Sequence, residues 1–152
     1  MLVYRIAKSE HIRDLTGAGA RLYGGRWNRR GTALVYTSET RSLATVEFLV
    51  HVSLPYVPTD LNMATIQIPD DERLDELDPS GLPSNWRSFP APPELAELGT
   101  SWPRSNQSLA LRVPSAVVEH EFNVLINPTH PSMERVDILW VEIYTLDRRL
   151  TG

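Results

Sequence analysis

The chain has 152 residues, a formal net charge of −4, 41% hydrophobic and 22% charged residues, and no cysteine. That length and composition suit one globular domain over residues 1–152. They exclude a disulfide framework, a thiol nucleophile and a zinc–thiolate site, and a helical bilayer span needs a longer apolar run than any present. Lys8 is the only lysine, and the arginines are scattered, so no basic groove for a nucleic-acid polymer is expected. The first residues lack the basic-then-apolar order of a signal peptide, which points to a cytoplasmic protein.

In chain order, Leu2–Ile6 reads as a short strand and Ser9–Leu15 as a brief helix capped by Ser9. A glycine-rich stretch follows, "GARLYGGRWN" (19–28), in which glycines give backbone freedom and arginines and aromatics give grip. "ALVYT" (33–37) is apolar, partly β-branched and bounded by Gly31 and Ser38, hence a strand. From Thr40 to His51 the period changes: Leu43, Val46, Leu49 and Val50 recur at helical spacing, with Thr40 or Ser38 as cap. Leu61–Ile68 alternates as a strand. Residues 69–93 are proline-rich and acidic, a loop with short helical turns. A helix starts near Pro93 and runs past Trp102 towards Ser108. "SLALRVPSAVV" is a strand ending at Pro114, because proline cannot donate to a ladder. "FNVLINP" and "DILWVEIYTL" supply the last two strands. Without a regular βαβ rhythm, this order predicts an α+β domain with flanking helices on a bent, mainly antiparallel sheet.

Familiar motifs fail. Gly17-Ala18-Gly19 opens like a dinucleotide fingerprint, but Leu22 stands where the third glycine belongs. Gly25-Arg26-Trp27 replaces the Gly-Lys-Ser/Thr ending of a phosphate loop. His120-Glu121 lacks the second histidine of a zinc-protease helix, and no Gly-x-Ser-x-Gly elbow occurs. The four histidines stand alone, so no metal site is expected.

Four polar residues stand out. Arg26 follows two glycines, Tyr36 lies on the next strand, Glu47 interrupts the apolar helix, and Ser115 follows Pro114 at a strand end. Each has a plainer account: a surface ion pair, sheet packing, a solvent-facing helix position and a turn.

"YRI", "GARLYGGRWNRRGTALVYTSET", "SLATVEFLVH", "LALRVPSAVV", "NVLINPTHP" and "LDRRL" together resemble the RES domain, from Tyr4 to Leu150. That family is named for a recurring Arg, Glu and Ser. The resemblance implies a fold like the ADP-ribosyltransferase core. It implies a toxin of a bacterial toxin–antitoxin pair, with NAD as substrate and no metal. Its antitoxin would be Xre-like, and the toxin would self-associate as a homodimer or within a larger toxin–antitoxin assembly. DNA contact would come through the antitoxin, and none with a membrane is implied. It places the family Arg on Arg26, Tyr on Tyr36, Glu on Glu47 and Ser on Ser115, with Ser108 as the alternative, and Arg21 or Arg5 as helpers at the phosphates. The implied reaction cleaves the nicotinamide–ribose bond, as a glycohydrolase or phosphorylase. The alternatives are an ADP-ribosyltransferase acting on a host protein and an RNA-cleaving toxin, which would need the basic groove that this chain lacks.

Overall fold

The computed structural model describes all residues from Met1 to Gly152. Its strands are β1 (Leu2–Lys8), β2 (Val35–Ser38), β3 (Leu61–Gln67), β4 (Leu74–Glu76), β5 (Ala110–Pro114), β6 (Phe122–Ile126) and β7 (Asp137–Ile143). Its helices are α1 (Ala18–Tyr23), α2 (Arg41–His51), α3 (Pro93–Ser105) and α4 (Arg148–Thr151). The strands form one sheet in the order β4-β5-β6-β2-β1-β3-β7. Only β4–β5 is parallel; every other pairing is antiparallel. The fold is α+β, as the mixed strand and helix signals predict.

The two seams on either side of β1 are unequal. β1 and β3 are in register over their whole length, from Leu2 opposite Gln67 to Lys8 opposite Leu61. β1 and β2 share a single register pair, Tyr4 opposite Ser38. Apolar packing crosses this narrow join: Val3 and Ala64 on one side meet Val35 and Val124 on the other in a buried cluster with Ile66 and Ile126. α2 lies against both β1 and β2. A second buried cluster, with Leu111, Val113 and Leu125 of β5 and β6, is covered by Leu95 of α3 and by Trp27.

Local chemistry explains the element ends. Thr40 caps α2, its Oγ1 accepting the Leu43 N–H at 3.0 Å. Pro93 opens α3, where its missing N–H costs nothing. α1 was not legible among the glycines. It stops at Gly24, whose φ of 72° lies in the region that favours glycine and whose N–H closes on Ala20 O.

Two expectations need correction. Ser9–Leu15 forms turns, not a helix. Arg5 donates to the carbonyls of His11 (3.3 Å) and Asp14 (2.5 Å), fastening these turns to β1, and Ile12 is drawn into the core. The 69–93 segment is not all loop: Leu74–Glu76 adds a short edge strand beside β5.

α3 packs backbone to backbone against the glycine-rich turn. A Cβ on Gly99 would lie 1.7 Å from the Trp27 carbonyl oxygen. A backbone atom cannot step aside as a flexible side chain can. Gly99→Ala is therefore expected to cost about 1–3 kcal/mol of stability or more, read as a lowered urea midpoint. An unchanged midpoint would mean that α3 does not bear on Trp27 this closely.

Candidate active site

One cavity of about 670 Å³ opens over the join between β1 and β2. Tyr4 and Arg5 of β1, Tyr36 and Ser38 of β2, Glu47 and His51 of α2, and Asn123 of β6 all line it. The Gly24–Trp27 turn forms one wall, and Arg87, Phe89 and Val117 reach its mouth.

Glu47 is placed by α2 and held by two neighbours. Its Oε1 accepts a hydrogen bond from Ser115 Oγ at 2.8 Å and another from Asn123 Nδ2 at 2.7 Å. The Asn123 amide is itself oriented, because its Oδ1 accepts from Ser38 Oγ at 2.7 Å. Ser38 and Asn123 are direct register partners across β2 and β6. Oε2 of Glu47 takes no donor from the protein, so half of the carboxylate is available to a ligand.

Ser115 is only 2% exposed and does not line the cavity. Its hydroxyl donates to Glu47 and accepts the N–H groups of Val117 (3.1 Å) and Val118 (3.0 Å). It therefore stands behind the carboxylate and fixes the loop that follows β5. Ser108 lies elsewhere: it accepts from Trp102 Nε1 at 2.8 Å and donates to Asp75 at 2.7 Å, pinning α3 to β4.

Arg26 projects from the turn into the cavity. Its Nη1 donates to the carbonyls of Trp86 (2.7 Å) and Ser88 (3.1 Å). No carboxylate comes within ion-pair distance, so its charge is satisfied geometrically but not neutralised. Burial pulls the guanidinium below its ordinary pKa, and the charge of Glu47 works in the opposite direction. For Arg5, burial lowers the pKa and the charge of Asp14 offsets part of the shift.

Tyr36 builds the turn. Its hydroxyl accepts the Trp27 N–H at 3.1 Å and donates to Asn28 Oδ1 at 2.7 Å. Burial raises its pKa well above the usual tyrosine range, so the hydroxyl stays protonated. A Cβ on Gly25 would come within 2.8 Å of that hydroxyl, so this glycine is needed for the close approach. Arg21 sits on α1, exposed and away from the cavity lining.

The structure thus brings Arg26, Tyr36 and Glu47 together around one cavity, with Ser115 as a support, and leaves Arg21 outside. Two residues that the sequence did not single out belong to the arrangement. Asn123 holds Glu47, and the buried Asn28 holds the turn through its Nδ2 bonds to Ala20 O, Arg29 O and Thr32 O. The available signal for Asn123 was a polar residue inside the apolar run "FNVLI". No three His, Asp or Glu side chains converge as a metal site.

Chemically, the cavity offers a carboxylate, two guanidiniums with uncancelled charge and aromatic walls. This suits a ligand that carries phosphates and a centre that gains positive charge.

Comparison with known proteins gives a consistent picture. A model of the RES domain matches residues 2–149. "Toxin Res" of Yersinia enterocolitica is 41% identical over 135 residues, 88% of each chain. "Prs ADP-ribosylating toxin" of a Sphingobium species is 35% identical over 146 residues, 95% of this chain and 91% of that one. Among solved structures, the Mycobacterium tuberculosis MbcT–MbcA toxin–antitoxin complex contains a chain that superposes with a TM-score of 0.74, covering 95% of this chain and 84% of that one at 18% identity. That last likeness concerns the fold. With a family model spanning nearly every residue and relatives above one-third identity, the chain belongs to the RES-domain family.

Proposed function

We propose that this protein is the toxin of a type II toxin–antitoxin pair and that it consumes NAD by cleaving the nicotinamide–ribose bond. The observation that carries this reading is the pairing, inside one cavity, of the half-free Glu47 carboxylate with the un-neutralised guanidinium of Arg26. The cavity volume lies within the roughly 300–1,000 Å³ common for small-molecule sites.

The chemistry follows from the bond. As the C1′–N bond of the ribosyl nicotinamide breaks, both electrons leave with neutral nicotinamide, and the ribose becomes oxocarbenium-like. Oε2 of Glu47 opposes that growing charge. Ser115 and Asn123 fix the carboxylate beforehand, so little reorganisation is needed as the bond breaks. Arg26 grips the pyrophosphate with its remaining N–H donors, and Arg5 adds a second positive charge. Water then forms the new bond to C1′ and releases a proton, giving ADP-ribose; phosphate in the same place gives ADP-ribose 1″-phosphate.

The Sphingobium relative's name favours a second reading, in which a protein side chain accepts the ADP-ribose. NAD labelled in the adenylate half separates the two: label in free ADP-ribose supports hydrolysis, and label retained on a host protein supports transfer.

An antitoxin is the expected partner, supported by the complex in which the structural neighbour was solved. An Xre-like antitoxin has a suitable landing surface in the apolar collar at the cavity mouth. Tyr23 is 73% exposed there and Phe89 88%, with Val50 and Val117 beside them.

Three outcomes test these proposals. Incubated with NAD, the protein should release nicotinamide, and Glu47→Gln should fold normally yet lose turnover by about 10²-fold or more, mainly in kcat. Near-normal turnover in that variant would remove the carboxylate from the reaction. Ser115→Ala should lower kcat while leaving KM nearly unchanged, whereas Ser108→Ala should lower stability without a selective loss of kcat. The reverse pattern would make Ser108 the functional serine. Finally, inhibition by the purified antitoxin should weaken as NAD rises. If NAD binds the toxin–antitoxin complex as well as it binds free toxin, the partner does not cover the cavity.

A further inference from the structure

Carboxylates neutralise half of the fourteen arginines in this acidic chain, Arg29, Arg41 and Arg112 among them. Of the rest, Arg5 and Arg26 serve the main cavity. Arg30 and Arg104 have no carboxylate either, yet both line a second, smaller cleft of about 290 Å³. One wall is the turn Arg29–Thr32; the other is the later part of α3, with Glu97, Thr100, Ser101 and Arg104. No hydrophobic side chain lines it.

The charges in this cleft do not balance. Arg29 is paired with Glu97, which leaves the two positive charges of Arg30 and Arg104 uncompensated within one small space. Like charges brought together this way repel unless an anion sits between them. A hydroxyl donor is present too. Thr100 is mostly buried, its Oγ1 accepts the Arg29 N–H at 2.9 Å, and its own proton has no acceptor in the protein. Two guanidiniums and a spare hydroxyl proton match the several acceptor oxygens of a tetrahedral dianion.

We propose that this cleft is a second anion site, for a phosphate-type oxyanion, separate from the NAD-cleaving cavity. The ligand is either free inorganic phosphate or the terminal phosphate of a small nucleotide. The two sites flank the same turn. Arg26 points from it into the main cavity, while Arg29 and Arg30 line the cleft, and Gly99 of α3 touches the Trp27 backbone between them. The proposal rests on the charges of the cleft alone, so it stands or falls independently of NAD cleavage.

The test is titration of the full chain with inorganic phosphate at constant ionic strength, followed by thermal unfolding and calorimetry. A saturable rise in melting temperature is expected. Arg26→Ala, which disables the main cavity as a phosphate site, should keep it. Arg104→Ala should weaken phosphate binding about tenfold, and Arg30→Ala, Arg104→Ala together should abolish it. Both arginines are exposed, so these variants should fold. Glu97→Gln frees Arg29 and should tighten binding severalfold, an effect that a fold defect cannot mimic. Adenosine 5′-monophosphate in place of phosphate decides the source: tighter binding assigns a nucleotide phosphate, equal or weaker binding assigns free phosphate. Absence of saturable binding overturns the proposal. So does binding that vanishes in Arg26→Ala and survives in the Arg30/Arg104 double variant, since the anion would then lie in the main cavity.

Discussion

The hydroxyl of Tyr36 is the fixed point from which the cavity is built. It accepts a backbone N–H from Trp27 and donates to Asn28, and Asn28 in turn ties down the carbonyls of Ala20, Arg29 and Thr32. A glycine-rich turn has many conformations to lose on folding. These bonds collapse them into one and fasten it to the middle of the sheet. The turn sets where Arg26 begins, and the Trp86 and Ser88 carbonyls complete its direction. The same hydroxyl needs a neighbour without a side chain, which accounts for Gly25 beside it.

Glu47 is secured from another part of the chain by similar means. Its supports come from the strand ends and loop on the far side of β2, so the acidic and basic halves of the cavity are assembled independently. They meet across the join between β1 and β2. Their mutual influence shows in the opposing effects of burial and of Glu47 on the Arg26 guanidinium. A cavity in which both charges are held by neutral donors and acceptors, rather than by each other, keeps each available to a ligand.

What the sequence revealed depended on the range of the interaction. α2 was legible because helical spacing and a capping threonine are local signals, and β3, β5, β6 and β7 because their apolar patterns are local too. The Ser9–Leu15 segment turns instead of forming a helix, tied down from outside itself: Arg5 of β1 holds the His11 and Asp14 carbonyls, and Ile12 enters the core. β4 was hidden because a three-residue edge strand is defined by its partner and not by its own composition. The roles of the polar residues show the same division. Arg26, Tyr36 and Glu47 were picked out by their setting and by likeness to a family, and they do share the cavity. That Ser115 would sit behind Glu47, and that Asn123 would complete the grip, required knowing that β2, β5 and β6 lie side by side. Arg21 lies outside the lining because it falls on the outer side of α1, whose Gly19, Ala20 and Tyr23 face the cavity.

The narrow join between β1 and β2 gives the domain a mechanical character that its continuous sheet conceals. Two leaves, β4-β5-β6-β2 and β1-β3-β7, meet at one backbone register pair, through apolar side chains and through α2, which packs on both. Hydrogen-bonded ladders resist rotation because they are directional; hydrophobic contact is not directional and yields to small angular displacement at little cost. The cavity draws Tyr4 and Arg5 from one leaf and Tyr36, Ser38 and Asn123 from the other. Its width therefore depends on how the two leaves meet, and any ligand that touches both walls acts as a clasp. By mass action, such a clasp stabilises the whole domain by an amount that grows with the logarithm of its concentration relative to its Kd.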